Sequence, residues 1–317
     1  MMRWMTEIYP DMGFDCASLR EIHEVLPMTT AKQIIYAQPC KKREDVLTAQ
    51  ALGIRRTVVD SVEEMEKLEG WEGEILVRLL VSDKHSKQPF GKKFGAPLPW
   101  LGRIYDIAKT MKLNMSGFSF HVGSECQAPQ QYADAIADCR KAQKVAEQYG
   151  FGTSVIDIGG GFLSEEEPFV AVANQIKIAQ AKHFPSVQWI AEPGRFLAAP
   201  THTLYTTVIG KKPVWPSKES AWRITIDESV YGSFSNIPFD HQKPVLERVR
   251  VPGPDEKPKP TVVFGRTCDS GDCLGDVMLH DVVEGDVLRV RNMGAYTTVT
   301  ASEFNGFPKP LAIYELK

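Results

Sequence analysis

Short apolar runs alternate with longer amphipathic stretches along the first two hundred residues of the chain. The apolar runs are Ile34–Ala37, Thr57–Asp60, Ile75–Leu80, Gly117–His121, Val155–Gly159 and Gln188–Glu192, and the clearest helical stretches are Lys42–Leu52, Val62–Leu68 and Tyr132–Tyr149. Repeated βα units predict a parallel sheet, and their number favours a TIM-type β/α barrel over an open sheet. In such a barrel, functional residues lie where strands end, which here are His121, Asp157–Gly161 and Glu192–Arg195.

The pattern changes after about Pro200 to β-rich segments that are separated by Gly and Pro clusters. These segments are Leu204–Ile209, Trp222–Ile226, Thr261–Phe264, Asp286–Val290, Tyr296–Val299 and Leu311–Tyr314. The spacing predicts an antiparallel all-β domain. We therefore expect an α/β plus β protein, with a β/α barrel over residues 1–199 and a β domain over residues 200–317.

Composition narrows the class of protein. The chain has 317 residues, 43% of them hydrophobic, so it can bury a large core in each of two domains. A net charge of −3 does not favour nucleic-acid binding, and no apolar run approaches the roughly 20 residues of a membrane span. The start of the chain lacks a secretory pattern, and the 6 cysteines show no zinc-like spacing. We expect a cytoplasmic protein with reduced thiols, no metal and no membrane or nucleic-acid partner.

Three consecutive glycines, Gly159, Gly160 and Gly161, follow the apolar run Val155–Ile158. Glycines let backbone N–H groups converge on an anion without a Cβ in the way, although a tight βα turn explains the triplet equally well. The segment Glu192-Pro193-Gly194-Arg195 follows about thirty residues later. Because an arginine can grip a phosphate with two hydrogen bonds, the two segments together favour a phosphate site.

Other candidate residues carry weaker signals when each is taken alone. His121 ends a β-like run, and a lone histidine is more often structural than catalytic. Cys268 lies between Thr267 and Asp269 in a glycine-bearing loop, where most cysteines are inert.

Taken together, these motifs resemble the fold-type III pyridoxal-phosphate decarboxylases, the ornithine, arginine and lysine decarboxylase family. The resemblance rests on motifs spread over essentially the whole chain: Phe14-Asp15-Cys16-Ala17-Ser18, His121-Val122-Gly123-Ser124, Asp157-Ile158-Gly159-Gly160-Gly161, Glu192-Pro193-Gly194-Arg195, Cys268-Asp269-Ser270-Gly271-Asp272 and Asn292-Met293-Gly294-Ala295-Tyr296. It implies an alanine-racemase-like barrel that here lacks its first unit. The family's Schiff-base lysine precedes the Phe-Asp-Cys-Ala-Ser segment, so its position falls upstream of Met1.

The resemblance implies a cofactor site for pyridoxal phosphate. Glu192 is expected to pair with the pyridine nitrogen and His121 to stack on the ring. The expected phosphate contacts are Ser124, Gly159, Gly160, Gly161, Gly194, Arg195 and Tyr296. Asp15, Glu21 and Arg78 fit family positions that shape the same pocket.

The resemblance also implies a substrate site for a basic amino acid or amine. Cys268 is expected to protonate the carbon that loses CO₂, as a general acid. Asp240 and Asp269 would bind the distal amine, and Phe304 would form a pocket wall. In the family, Cys268 and Asp269 reach the active site of the other subunit of a homodimer, and Lys93 pairs with Asp272 across that interface.

Two functions stay open at this point. The first is an enzyme of the decarboxylase lineage, with the family's chemistry or an altered, lysine-independent chemistry. The second is a non-catalytic regulator, similar to the antizyme inhibitors. Ser229 stands where the family usually has glycine, and Ser235–Pro238 departs from the family loop before Asp240; both changes affect the substrate pocket more than the cofactor site. Lys32, Lys41 and Lys42 match no catalytic position. The near-complete set of site residues favours the enzyme.

Overall fold

The computed structural model describes residues 2–214 and 222–315 of the chain. The chain divides into two compact units, Met1–Pro193 and Gly194–Lys317. The domain boundary predicted from the sequence, between residues 199 and 200, lies slightly further along and stays a prediction. No helix within the described ranges is long and apolar enough to span a bilayer.

The first unit is a half-barrel built around a parallel sheet. Its strands are β1 (Phe14–Cys16), β2 (Ile34–Tyr36), β3 (Arg56–Val59), β4 (Glu74–Arg78), β5 (Ser86–Gln88), β6 (Asn114–Ser119), β7 (Ser124–Cys126), β8 (Val155–Asp157) and β9 (Gln188–Ile190). Its helices are α1 (Met2–Ile8), α2 (Leu19–Val25), α3 (Arg43–Ala51), α4 (Val62–Met65), α5 (Leu101–Thr110), α6 (Gln130–Gln148) and α7 (Glu166–His183). The parallel strands run in the order β1-β2-β3-β4-β6-β8-β9, so β1 and β9 form the two edges, while β5 and β7 make a short antiparallel pair. The predicted incomplete β/α barrel is confirmed.

Burial on both faces explains why the strands of this sheet are continuous apolar runs. Ile75, Leu76 and Val77 of β4 are all fully buried, as expected for a parallel strand that is covered on both sides. Helix α6 packs through one stripe of side chains at helical spacing, which consists of Tyr132, Ala135, Ile136, Cys139, Ala142 and Ala146.

The second unit is a curled β sheet with two short helices. The helices are α8 (Gly194–Ala198) and α9 (Asn236–Asp240), and the strands are β10 (Leu204–Pro213), β11 (Trp222–Ile226), β12 (Leu246–Arg248), β13 (Lys259–Phe264), β14 (Cys273–Leu279) and β15 (Val287–Val290). The strands lie in the order β12-β15-β10-β11-β13-β14, with every neighbouring pair antiparallel except β11 and β13. A core that includes Val208, Ile224, Phe234 and Leu288 fills this unit. The predicted β domain is therefore confirmed as mostly antiparallel.

Two of the predicted strands are wrong. Tyr296–Val299 is a turn, because Tyr296 has a φ of 54° and the Thr297 hydroxyl donates a hydrogen bond to the Met293 carbonyl, which closes the chain on itself. Leu311–Tyr314 pairs with no strand among the described residues, and the side chains of Leu311 and Tyr314 are almost fully exposed.

Candidate active site

Five of the predicted or neighbouring polar residues lie at the carboxyl ends of the parallel strands in the first unit. Asp15 is in β1, Arg78 ends β4, His121 follows β6, Asp157 ends β8 and Glu192 follows β9. The register places Arg78 beside Ser119, Ser119 beside Asp157, and Asp157 beside Ile190, so these strand ends share one edge of the sheet. Carboxyl ends of barrel strands are where β/α barrels carry their chemistry.

Negative charge exceeds positive charge within this group. Loss of hydration, with the neighbouring carboxylates Asp157 and Asp15, raises the pKa of Glu192 well above its ordinary value. Burial likewise raises the pKa of Asp157, which is 1% exposed. Desolvation lowers the pKa of Arg78, although the surrounding carboxylates favour its charged form. Four carboxyl groups act on the Arg78 guanidinium, those of Asp15, Asp60, Asp157 and Glu192, so a further positive charge or proton donor would be stabilised here.

Asp15 lies at the accessible side of this group. Asp15 is exposed to solvent, yet the loss of hydration at its carboxyl group, with the charges of Asp157 and Glu21, raises its pKa to about 7. The group is therefore open to solvent at Asp15 and closed at Asp157.

Asp15→Asn is expected to flatten the pH dependence of stability. The native pKa of Asp15 is about 7 and its ordinary value is 3.8. Between these pH values, Asp15 is therefore protonated to a larger fraction in the native state than in the unfolded state. This contribution is fully present below the unfolded pKa and is lost as the pH rises through about 7. Urea unfolding at about pH 5 and about pH 8 measures the effect. An unchanged difference between the two pH values in the variant would contradict the assignment.

His121 is a neutral imidazole in this arrangement. Burial, together with the nearby Arg78, lowers its pKa to about 3. The Gly123 amide donates a hydrogen bond to Nδ1 at 3.0 Å, so the ring proton is on Nε2. The imidazole also packs against the Phe90 ring, with 4.8 Å between ring centroids. A neutral ring held on one side suits stacking on a flat ligand better than acid catalysis.

The glycine triplet forms a tight turn directly beside His121 and Glu192. Gly159 and Gly161 have φ values of 63° and 97°, and a Cβ on either would come within 2.3 Å of a backbone carbonyl. A Cβ on Gly160 would meet the Glu192 carbonyl at 2.8 Å and His121 Nε2 at 3.0 Å. The turn interpretation is thus sufficient to explain all three glycines.

The same turn still presents backbone donors. The Gly160 carbonyl accepts from the Tyr132 hydroxyl at 2.8 Å, and the Gly161 carbonyl accepts from the Cys126 amide at 2.9 Å, which hold the turn in place. Among the residues that the structure describes, the amides of Gly160 and Gly161 donate no hydrogen bond. Ser124 begins β7, which follows the same strand end as His121. These groups suit an anion.

The predicted pocket residue Glu21 and the lysine Lys41, which matches no catalytic position, both have local structural partners. Glu21 Oε2 accepts a hydrogen bond from the Ala17 amide at 2.6 Å, and the Glu21 amide donates to the Ser18 hydroxyl, so Glu21 completes the N-terminal cap of α2. Lys41 is fully buried, and its Nζ donates to the Gln38 and Val58 carbonyls and pairs with Glu64. All of the donors of Lys41 are used, which makes it a structural ion pair.

In the second unit, three predicted residues lie together. Arg195 in α8 and Asp240 at the end of α9 form an ion pair with 2.6 Å between Nη2 and Oδ1. The Arg195 guanidinium also lies over the Tyr296 ring, 5.0 Å from its centroid. Gly194, the first residue of α8, leaves open space where a Cβ would be.

A second group of predicted residues lies on an exposed part of the same unit. Cys268 is exposed, and its Sγ contacts Asn305 Oδ1 at 3.2 Å. The Tyr231 hydroxyl donates a short hydrogen bond to Asp269, which lowers the pKa of Asp269. The Tyr231 ring packs on Phe304 with 4.4 Å between centroids. The structure thus brings Cys268, Asp269 and Phe304 together through Tyr231 and Asn305.

The pairing of Asp272 with Lys93 of another subunit stays a prediction, and each residue also has contacts within its own unit. Asp272 is fully buried, and its carboxylate accepts hydrogen bonds from Ser229 Oγ, the Val230 amide, and the amide and hydroxyl of Thr267. Lys93 lies over the Phe94 ring, with 4.9 Å between its Nζ and the ring centroid. The carboxylate of Asp272 is occupied within its own unit, where Ser229, the unusual residue of this loop, supplies one of the donors.

Alkylation is expected to modify the exposed thiols of Cys268 and Cys40 before the buried thiols of the chain. Cys268 and Cys40 are exposed, whereas Cys16, Cys126 and Cys139 are buried, and burial raises the pKa of Cys16 to about 12. Timed labelling with iodoacetamide, followed by peptide masses, measures the order. Labelling of Cys16 as fast as Cys268 would show that the strand end at Cys16 is open in solution.

Sequence reasoning finds Asp157, which ends an apolar run before three glycines, but it misses two other residues of these groups. Tyr231 and Asn305 carry no signal in the sequence, because their roles depend on which loops meet in the folded unit.

Comparisons with known proteins agree with this geometry. Residues 1–199 match the family model described as the pyridoxal-dependent decarboxylase, pyridoxal binding domain. A probable ornithine decarboxylase of Dictyostelium discoideum is 37% identical over 95% of this chain and 69% of its own length, and antizyme inhibitor 2 of Xenopus laevis is 36% identical over 96% of the chain and 71% of its length. The structure of the Paramecium bursaria Chlorella virus arginine decarboxylase bound to agmatine is 31% identical, with a TM-score of 0.91 over 97% of this chain and 84% of that one.

Proposed function

The chain belongs to the pyridoxal-dependent decarboxylase family, and on that premise we propose that it uses pyridoxal phosphate to decarboxylate a basic amino acid of the ornithine, lysine or arginine type. The observation that carries this proposal is the charge imbalance at the strand ends, where the carboxyl groups of Asp15, Asp157 and Glu192 lie near the guanidinium of Arg78. A protonated pyridine nitrogen is the kind of partner that such a site lacks.

The residues present fit the cofactor. Glu192 offers a carboxylate whose negative charge is poorly compensated by protein groups, and His121 offers the face of a neutral ring. The amides of Gly160 and Gly161 suit a phosphate, and no Cβ could be accommodated beside them. The resemblance adds Arg195 and Tyr296 of the second unit as further phosphate contacts, and these stay predictions.

When bound, pyridoxal phosphate supplies an aldehyde that captures the amino group and a ring that accepts the electrons left by CO₂. The Glu192 carboxylate would accept a hydrogen bond from the ring nitrogen and so keep the proton on that atom. His121 packs against the ring and, being neutral, adds no competing positive charge. Arg78 favours the ionised form of Glu192, and a protonated ring nitrogen would add to that effect when the cofactor is bound.

On the substrate side, the thiol of Cys268 is proposed to return a proton to the carbon that loses CO₂. Its exposure leaves the thiol accessible, and Asn305 orients it. Asp269, with its lowered pKa, stays ionised and can bind the distal ammonium group of the substrate, with Phe304 beside it. We propose that these residues act in a homodimer, as in the family, with Lys93 of one subunit near Asp272 of the other.

Release of labelled CO₂ from carboxyl-labelled ornithine, lysine and arginine, with pyridoxal phosphate present, tests the proposal. We expect one of the three substrates to be decarboxylated and Glu192→Gln to abolish most of that activity. Borohydride reduction followed by peptide masses then identifies any lysine that holds the cofactor covalently. No cofactor binding by the unchanged chain would refute the proposal.

A regulatory function is the second candidate, and the 36% identity to antizyme inhibitor 2 favours it. In that case the chain would bind antizyme and release active ornithine decarboxylase from it, without decarboxylating any of the three amino acids itself. Titration of an antizyme–ornithine decarboxylase complex with this chain distinguishes the two functions, because only the regulator restores the activity of the other enzyme.

A further inference from the structure

The ion pair of Arg195 and Asp240 joins two sites that the sequence treats as separate. Arg195 is expected to bind a phosphate and Asp240 the distal amine of a substrate, yet their side chains are in direct contact at 2.6 Å. Both side chains are nearly buried, with 9% and 6% exposed. Because little water screens this contact, the electrostatic interaction between the two side chains is strong, and a change in the charge of one alters the stability of the other's ionised form.

Asp240 has one carboxylate oxygen to spare in this contact. Asp240 uses Oδ1 for Arg195, while its buried Oδ2 accepts no hydrogen bond within residues 2–214 and 222–315. Arg195 lies over the Tyr296 ring, which restricts the guanidinium to one face of that loop. A phosphate that binds Arg195 would therefore compete with Asp240 for the positive charge of the guanidinium.

We propose that the Arg195–Asp240 pair couples phosphate binding to amine binding in the same site. A phosphate bound to Arg195 neutralises part of the guanidinium charge. The ionised Asp240 carboxylate is then less stabilised by Arg195. An ammonium group then binds Asp240 more tightly, because it restores the missing positive charge beside Oδ2. This inference rests on the proposed function, since it takes Arg195 as a ligand of the cofactor phosphate.

The coupling has a definite sign. Phosphate should strengthen the binding of a diamine, and by linkage the diamine should strengthen the binding of phosphate by the same factor. For groups in direct contact with little solvent between them, we expect a factor of about five or more. Without Asp240, phosphate loses its competitor for Arg195, so removal of that carboxylate should strengthen phosphate binding.

Calorimetric titration tests the coupling without any turnover. Putrescine is titrated into the unchanged chain with and without saturating inorganic phosphate, and phosphate and pyridoxal phosphate are titrated into Asp240→Asn. Glu247→Gln is the matched control, because Glu247 also pairs with an arginine, Arg289, in the same unit but in a more exposed position. We expect phosphate to tighten putrescine binding in the unchanged chain and in the control, and Asp240→Asn to bind phosphate more tightly while losing the coupling.

The possible results separate this inference from the proposed function. An equal affinity for putrescine with and without phosphate in the unchanged chain would overturn the coupling, and so would weaker phosphate binding by Asp240→Asn, which would make Asp240 only a support for Arg195. If pyridoxal phosphate binds and the coupling is missing, the proposed function stands and the inference alone fails. If neither phosphate nor pyridoxal phosphate binds, both fail. The measurement on the unchanged chain decides the matter even if the variant does not fold.

Discussion

Gly161→Ala is expected to lower the free energy of unfolding by about 3 kcal/mol or more. Gly161 has a φ of 97°, which an L side chain adopts at a cost, and its Cβ would lie 2.3 Å from the Gly123 carbonyl oxygen. That oxygen belongs to the backbone of the neighbouring loop, so it cannot move aside as a flexible side chain would. Chemical denaturation of the variant and the unchanged chain measures the difference.

Gly150→Ala is the matched control for this substitution. Gly150 also has a positive φ, 86°, but a Cβ there would meet no atom within 4 Å. It should therefore cost only the backbone strain, about 1 kcal/mol. If the two variants lose the same stability, the close approach at Gly161 is absent in solution and the turn beside His121 is looser than described here.

Glu192→Gln is expected to weaken pyridoxal phosphate binding by about tenfold or more while making the chain more stable. Binding weakens because an amide cannot keep a proton on the ring nitrogen as a carboxylate does. Stability rises because the variant removes one of three crowded carboxyl groups whose pKa values burial and mutual repulsion already raise. A raised carboxyl pKa destabilises the native state increasingly as the pH rises, so the gain should grow toward alkaline pH.

The two readouts are absorbance titration with pyridoxal phosphate and urea unfolding at about pH 6 and about pH 8. Glu74→Gln is the control, because Glu74 lies at the start of β4 in an ion pair with Arg56 and away from the strand ends that carry the site. That variant should bind the cofactor normally and lose a little stability. A loss of both binding and stability in Glu192→Gln would mean that Glu192 supports the fold rather than the cofactor.

Most of the fold could be predicted from the sequence, because burial on both faces of a parallel sheet leaves continuous apolar runs that are easy to detect. The segment Trp222–Ile226 was predicted with the bounds that β11 has. By contrast β14 was missed, because it includes Gly275 and Asp276 and most of its side chains are not buried. The sequence predicts a strand where the Tyr296 turn lies, since the residues after Ala295 are β formers and only the backbone conformation reveals the turn.

The sequence predicts the site residues that follow strands, but it predicts less well the contacts that depend on how loops fold. His121, Asp157 and Glu192 each end an apolar run, so the sequence places them at one edge of the sheet. Nothing in the sequence indicates that Arg195 contacts Asp240, or that Tyr231 contacts Asp269. Those contacts depend on how α8, α9 and the loops of the second unit fold back on one another.

The surplus of carboxyl groups at the strand ends of the first unit allows that edge of the sheet to bind protons near neutral pH. With a pKa of about 7 for Asp15 and raised values for Asp157 and Glu192, part of the group is protonated near neutrality. A cation that enters must displace those protons, so its binding is an exchange in which hydrogen ions are released to the buffer. The affinity of this edge for any cationic ligand is therefore set by the acidity of the medium as well as by the ligand, and it increases as that acidity falls.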